Sequence, residues 1–348
     1  MYLVCYGTRP ELLKLIPLIN KMKIEKMNYK VLFSGQHKDL ITDFKHLVNT
    51  DIILDDIMIP GQTLNKLVAK ILIKMDEIFE KYNINSVIIQ GDTSTAYAIA
   101  LSGFHNKKKV IHIEAGLRTY DKYSPFPEEL NRKMISQIAD IHICPTIIAV
   151  ENLKRENIIE NVYLCGNTIV DMYKFINTNV NPSQNIKDII QKYKKYILVT
   201  LHRRENRGKN MEKMWNDLNM LSENSNIKYI YITHPSLPDS YNKLSKNIIL
   251  LEPLNYENMV YLISNCYGII SDSGGLQEEA LCANKKILVC RDTTERPETI
   301  NSGYGLLVKT EIKENINFLE NKNKKNINNV EINPYGEDVC DKIIEIIK

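Results

Sequence analysis

The sequence predicts an α/β protein of two similar lobes, each built on a parallel sheet with helices on both faces. Three observations carry this. The chain has 348 residues, too many for one ordinary core and suited to two. Short apolar runs alternate with helix-length amphipathic stretches along its whole length, the pattern of buried parallel strands joined by helical crossovers. That register pauses once, in the polar, proline-bearing stretch 177–184, and then restarts.

In the first half, 2–5, 30–34, 86–90, 109–113, 141–145 and 161–165 read as buried strands. Helical periodicity covers 11–22, 64–82 and 128–139. In the second half the strands are 196–200, 228–233, 247–251, 267–271 and 286–290. Residues 315–329 are dominated by Asn and Lys, read as a solvated helix end or loop, and receive no function. Residues 337–348 read as an amphipathic helix, expected to pack back on the first lobe. The expected domains are therefore 1–170 together with 337–348, and 171–336. Two such lobes leave a cleft between them, and open α/β sheets bind ligands beyond the carboxyl ends of their strands.

Composition narrows the class without naming a reaction. Hydrophobic residues make up 44% and charged residues 25%, as in soluble globular proteins. A net charge of +3 gives no reason to expect nucleic acid or an anionic membrane as partner. No apolar run approaches the roughly 20 residues that span a bilayer. The chain opens on a strand instead of a basic segment and a long apolar stretch, so a cytoplasmic protein without a signal peptide is expected. Seven scattered cysteines without a CxxC pair read as free buried thiols. No His/Cys/Asp cluster has metal-ligand spacing. Neither GxGxxG after the first strand nor GxxxxGK[ST] occurs, so no cofactor is indicated.

The residues just past each strand are the candidates for chemistry. Gly7 to Glu11 make a sharp turn into a helix, where Arg9 and Lys14 add positive charge near a helix start. That is an anion site or a plain strand-to-helix turn, and the segment alone does not choose. Asp92, beside Gly91, is a reactive carboxylate or a helix cap. Glu114 ends an apolar strand, and partial burial there would raise its carboxyl into an acid/base range. With Arg118 and Glu128 nearby, the other reading is a salt-bridge network. His202, followed by Arg203 and Arg204, would face an anion such as a diphosphate. Ser273, Gly274 and Gly275 precede a helix and can offer backbone N–H groups to phosphate oxygens. Glu279, four residues further on, could take both hydroxyls of a ribose. The stretch 291–298, with Arg296, offers another cation to an anion.

These segments together resemble the non-hydrolysing UDP-N-acetylglucosamine 2-epimerases. The strings that carry the resemblance are GTRPE (7–11), GDTST (91–95), HIEAGLRT (112–119), SPFPEELNRK (124–133), GNTIVD (166–171), TLHRRENRG (200–208), DSGGLQEEA (272–280), RDTTERPE (291–298) and NPYG (333–336). They are colinear and run nearly end to end. The resemblance implies a GT-B fold, two Rossmann-like lobes with parallel sheets and an interlobe active-site cleft, commonly in a homodimer. It implies interconversion of UDP-GlcNAc and UDP-ManNAc by inversion at C2, through elimination of UDP to a 2-acetamidoglucal and re-addition, for surface-polysaccharide sugar-nucleotide synthesis.

Carried over by position, Asp92, Glu114, Glu128 and His202 are the catalytic candidates. Arg9, Lys14, Met259, Ser273, Gly274, Gly275, Glu279 and Arg296 are the substrate-binding candidates. Met259 stands where the family usually has an aromatic under the uracil. Gln36 and His37 fit a regulatory second site of some relatives, but Asp39 replaces an amide there, which counts against such regulation. Pro235 and Ser236 replace a longer Asn-Pro motif. The competing readings are a hydrolysing epimerase releasing ManNAc and UDP, a 2-epimerase of a UDP-linked deoxy-L-amino sugar, a GT-B glycosyltransferase, and a non-catalytic nucleotide-sugar sensor.

Overall fold

The structure is a computed structural model and describes residues 1–35, 44, 46–59, 61–179, 181–223, 226–234, 243–320 and 333–348, with the backbone alone at 204. Gln36, His37, Asp39, Pro235 and Ser236 lie outside the described residues. The chain forms two compact units, 1–172 with 334–348, and 173–333.

The first unit holds a seven-stranded parallel sheet. Its strands are β1 (Tyr2–Tyr6), β2 (Tyr29–Phe33), β3 (Ile52–Ile53), β4 (Ser86–Gln90), β5 (Lys109–Ile113), β6 (Ile141–Cys144) and β7 (Val162–Leu164), in the order β3-β2-β1-β4-β5-β6-β7. The crossovers are α1 (Arg9–Ile24), α2 (Leu64–Lys81), α3 (Ser94–His105), α4 (Glu128–Ile138) and α5 (Ile147–Arg155). Every residue of β4 is buried, which is why an unbroken apolar run serves where an alternating one would not. Helix α1 starts on a capping box: Thr8 caps the first turn, Glu11 reaches back, and Pro10 sits where no N–H is needed.

Helix α6 (Ile169–Asn179) carries the chain into the second unit, and the boundary between 172 and 173 falls inside it. The polar stretch 177–184, read from sequence as the pause between lobes, is thus partly helix end. The second sheet is also parallel, with six strands: β8 (Tyr196–Thr200), β9 (Lys228–Ile232), β10 (Ile248–Leu251), β11 (Gly268–Ser271), β12 (Ile287–Val289) and β13 (Gly305–Leu307), in the order β10-β9-β8-β11-β12-β13. Its helices are α7 (Gln184–Lys192), α8 (Lys209–Glu223), α9 (Tyr256–Asn265), α10 (Gly274–Cys282), α11 (Pro297–Asn301), α12 (Ile312–Asn315) and α13 (Asn317–Glu320). The Asn/Lys-rich stretch begins at the last residue of α12 and takes in α13. The chain then returns to the first unit in α14 (Val339–Ile347), which packs on α1.

Both sheets are doubly wound. Strand order reverses between β1 and β4 in the first and between β8 and β11 in the second. At such a reversal the connections leave toward opposite faces and open a crevice beyond the carboxyl ends. In the first unit the loops there start at Gly7 and Gly91. In the second they start at Leu201 and Asp272.

Candidate active site

In the first unit the β1–α1 and β4–α3 turns are locked together. Glu11 accepts from the N–H of Gly7 at 2.9 Å, the N–H and hydroxyl of Thr8 at 2.6 and 2.7 Å, and the hydroxyl of Thr93 at 2.6 Å. Burial pushes its carboxyl up, and those four donors oppose the rise. Gly7 has no space for a side chain: a Cβ would sit 2.6 Å from Thr95 Oγ1 and 2.7 Å from Ser34 Oγ. Arg9 projects from this turn with its guanidinium 5.5 Å from the centroid of the Phe44 ring.

Glu114 follows β5 with φ of +69°, the left-handed region that an L-residue enters only at a cost of about 1–2 kcal/mol. That backbone brings its carboxylate between two other elements. Lys14 of α1 donates to Oε1 at 2.6 Å, and Gln90, the last residue of β4, donates to Oε2. All three side chains are buried. The ammonium of Lys14, expected from sequence near a bound anion, is thus engaged by a carboxylate of its own unit.

Asp92 sits one residue past Gly91. Its carboxylate accepts from Arg132 Nη1, and its carbonyl accepts from Asn131 Nδ2 at 2.9 Å. Arg132 in turn donates from Nε to Glu129 at 3.0 Å, and Glu129 takes the N–H groups of Thr119 and Tyr120 at 3.0 and 2.9 Å. Helix α4 therefore clamps the Asp92 turn and the loop after β5 together. Glu128 is the first residue of that helix and half-buried. Arg118 is spent on structure: it makes a bidentate pair with Glu156 at 2.9 and 2.7 Å and donates to Ser136. His112 donates from Nε2 to the carbonyl of Gly91 at 2.8 Å, fixing the peptide that precedes Asp92.

In the second unit Asp272, fully buried, organises the loop after β8. It accepts from the backbone N–H of His202 and Arg203 and from Asn206 Nδ2 at 2.9 Å. The His202 ring stacks on His234, centroids 4.7 Å apart and planes 9° apart. Burial pushes the His202 imidazole below its ordinary value; Asp272 opposes this, while His234 and Arg203 add to it. Helix α10 begins at Gly274. Ser273 donates its N–H to Ser271 Oγ at 2.9 Å, while the space beside the Cα of Gly275 is open to at least 4 Å. A Cβ on Gly274 would meet Arg296 Nη1 at 2.8 Å and Glu295 Oε1 at 2.9 Å. Arg296 is paired with Glu278 at 2.7 Å and with Glu295, and Arg291 meets Glu295 at 2.8 Å. Glu279 lies one turn into α10. Burial first, then the Glu279 carboxylate, push the Tyr256 phenol on α9 well above its ordinary value. Met259, half-buried, is on the same helix as Tyr256.

The structure thus gathers Arg9, Lys14, Asp92, Glu114 and Glu128 on the loops and helix starts of one unit, and His202, Ser273, Gly274, Gly275, Glu279, Arg296 and Met259 on the other. Sequence reasoning missed Gln90, Glu129, Arg132 and Asp272, which hold those residues in place. The i,i+3 spacing of Glu129 and Arg132 and the Thr-x-x-Glu capping box at Thr8 were the available signals. Among the described residues no cluster of three His, Cys, Asp or Glu could hold a metal ion, and no helix is long and apolar enough to cross a membrane.

Two doubly wound α/β units, one with carboxylates at its crevice and one with a Ser-Gly-Gly helix start, define a protein of the GT-B class. The model of the UDP-N-acetylglucosamine 2-epimerase family matches residues 20–348. A UDP-N-acetylglucosamine 2-epimerase of Campylobacter jejuni is 36% identical over 369 aligned positions, covering 99% of this chain and 96% of that one. The crystal structure of UDP-GlcNAc 2-epimerase from Neisseria meningitidis bound to UDP-GlcNAc superposes with a TM-score of 0.87 at 32% identity, covering 99% of each chain. The enzyme of Methanocaldococcus jannaschii in complex with UDP-GlcNAc and UDP gives 0.84 at 30% identity, covering 100% of this chain and 99% of that one. The chain belongs to the UDP-N-acetylglucosamine 2-epimerase family.

Proposed function

We propose that the chain interconverts UDP-GlcNAc and UDP-ManNAc by inverting C2, without net hydrolysis. The observation that carries this reading is the set of carboxylates Asp92, Glu114 and Glu128 on adjoining turns of the first unit, two of them held by buried cations. C2 bears an acetamido group and no neighbouring carbonyl, so its proton is not removed to a stabilised enolate. Elimination solves this. A carboxylate takes the C2 proton, the C2–H electron pair becomes the C1–C2 double bond, and the C1–O pair leaves with UDP. Reprotonation of C2 on the other face and return of UDP to C1 complete the inversion. The sequence is redox-neutral and consumes no water.

Each role has its candidates. Asp92, Glu114 and Glu128 shuttle the proton, and the ammonium of Lys14 lies 2.6 Å from the Glu114 carboxyl. Charge grows on the leaving diphosphate, and fixed donors stabilise it best. Arg9, His202, Ser273 and the N–H groups of Gly274 and Gly275 are assigned to it, with Arg296 as a further binding cation. Glu279 takes the ribose hydroxyls and Met259 packs on the uracil. The family resemblance supports a homodimer that works in the cytoplasm and serves surface-polysaccharide synthesis.

The test is proton NMR of the purified protein with UDP-GlcNAc in D2O. Growth of UDP-ManNAc with deuterium entering C2 and little free UDP is expected. Steady release of UDP and ManNAc would instead make the chain a hydrolysing epimerase. UDP-GlcNAc that binds and never changes would sink the epimerase reading.

A further inference from the structure

Glu114 is gripped from two sides, and the second grip has no place in the reaction as set out above. Lys14 supplies charge to Oε1. Gln90 brings no charge: it is a neutral amide, buried at the end of β4, whose Nε2 donates to Oε2. A carboxylate held at one oxygen can still swing about its Cγ–Cδ bond. Held at both, its plane is fixed, and so are the directions of its remaining lone pairs. Proton transfer is steep in geometry, and a misplacement of about 1 Å costs about a hundredfold in rate. Gly91, which follows Gln90, has φ of +72°, and a Cβ there would lie 3.9 Å from Glu114 Oε2.

We infer that Gln90 is a positioning residue for the C2 proton transfer assigned to Glu114, setting the plane of its carboxylate; this rests on the epimerase reading above. Among the described residues, the charged groups on the surrounding elements include Lys14 on α1, Asp92 in the turn after β4, and Arg132 on α4, which Asp92 and Glu129 hold. His112, on β5 two residues before Glu114, is buried and neutral, its imidazole lowered to about 3 chiefly by burial.

Two variants test it. Gln90→Met keeps the length of the side chain and removes the donor. Gln90→Glu keeps the shape and places a second carboxyl against the first. The first readout is the epimerisation kinetics. Gln90→Met should lose about a hundredfold in kcat with KM for UDP-GlcNAc nearly unchanged, the signature of an interaction that matters in the transition state. The second readout does not depend on activity. In ligand-free protein labelled with 13C at the glutamate carboxyls, the Glu114 resonance is identified by its loss in Glu114→Gln. Its titration midpoint should rise in Gln90→Met, where a donor to the charged form is gone, and rise further in Gln90→Glu, where two carboxyls share a proton.

A Glu114 titration that is the same in wild type and both variants overturns the inference, whatever happens to kcat. So does a moved titration with unchanged kcat. Should Gln90→Met fail to fold, Gln90→Glu decides by the same readouts. Should the wild type bind UDP-GlcNAc without turning it over, the epimerase reading falls, and with it the role in catalysis, while the titration still reports whether Gln90 holds Glu114.

Discussion

Asp272 accepts the backbone N–H of His202 at 3.0 Å, joining residues 70 apart at the ends of β11 and β8. The same carboxylate takes the N–H of Arg203 at 2.9 Å. The loop that carries His202 is thus shaped by a buried acceptor just past the end of the neighbouring strand. Asp272→Ala leaves three donors without their acceptor, and stability should fall by about 2–4 kcal/mol. In calorimetry that is a drop of roughly 5–10 °C in the transition of the second unit. An unchanged Tm would mean that water replaces Asp272 at no cost.

Asp92→Asn and Glu114→Gln keep shape and lose charge. Each should bind UDP nearly as the wild type does while losing about 10²–10⁴ in kcat, the usual worth of a positioned acid or base. Titration calorimetry with UDP and the D2O exchange assay separate the two effects. Either variant turning over at the wild-type rate removes that residue from the proton shuttle.

The two glycines at the start of α10 should respond differently to alanine. At Gly274 a Cβ collides with Arg296 and Glu295, so Gly274→Ala must displace the guanidinium or the carboxylate, at a cost of about 1–3 kcal/mol in stability. At Gly275 it meets nothing within 4 Å, so Gly275→Ala should melt near the wild-type temperature. If the open space beside Gly275 is where the diphosphate sits, that variant will nonetheless bind UDP more weakly. A stable Gly275→Ala with full UDP affinity would move the phosphates away from this helix start.

His112 and His142 pair across β5 and β6, and both are buried. Burial lowers the His112 imidazole to about 3 and that of His142 to about 4. In the unfolded chain each titrates near about 6.5. Below that value the unfolded chain binds protons that the folded one refuses. The stability they contribute is therefore complete above about pH 6.5 and is lost as pH falls toward 4 and 3, with a slope of about 1.4 kcal/mol per pH unit for each proton. His142→Gln should flatten the loss of stability between about pH 6.5 and about pH 4.5. Urea unfolding across that window checks it, and parallel curves for variant and wild type would show that His142 takes up its proton in the folded state.

Much of this molecule is legible in one sequence because it is built from fully buried parallel strands. Runs such as Ser86–Gln90 and Tyr196–Thr200 need no alternation and announce themselves. Strand β3, of two residues, leaves no run to read. The candidate side chains stood out because most of them follow strands. Their partners did not, because pairing is set by the sheet and not by the chain. Lys14 and Glu114 lie 100 residues apart, and the spelling around Lys14 suggests only a cation near a helix start. Glu129, fully buried and accepting three donors, looks no different on the page from its half-buried neighbour Glu128. Which of two adjacent acids turns inward is decided by Thr119, Tyr120 and Arg132 together.

Helix α14 gives the chain an order of manufacture. It is made after the whole second unit, yet it belongs to the first, where Tyr2 donates to the Ile347 carbonyl, Lys21 meets Asp341, and the N–H of Cys340 goes to Asp171 at 2.7 Å. On the ribosome, the unit that emerges second is continuous and can close as soon as residues 173–333 are clear of the tunnel. The unit that emerges first waits, its α1 surface bare, until residues 339–347 have been synthesised. The unit that holds Asp92, Glu114 and Glu128 is therefore the first translated and the last finished.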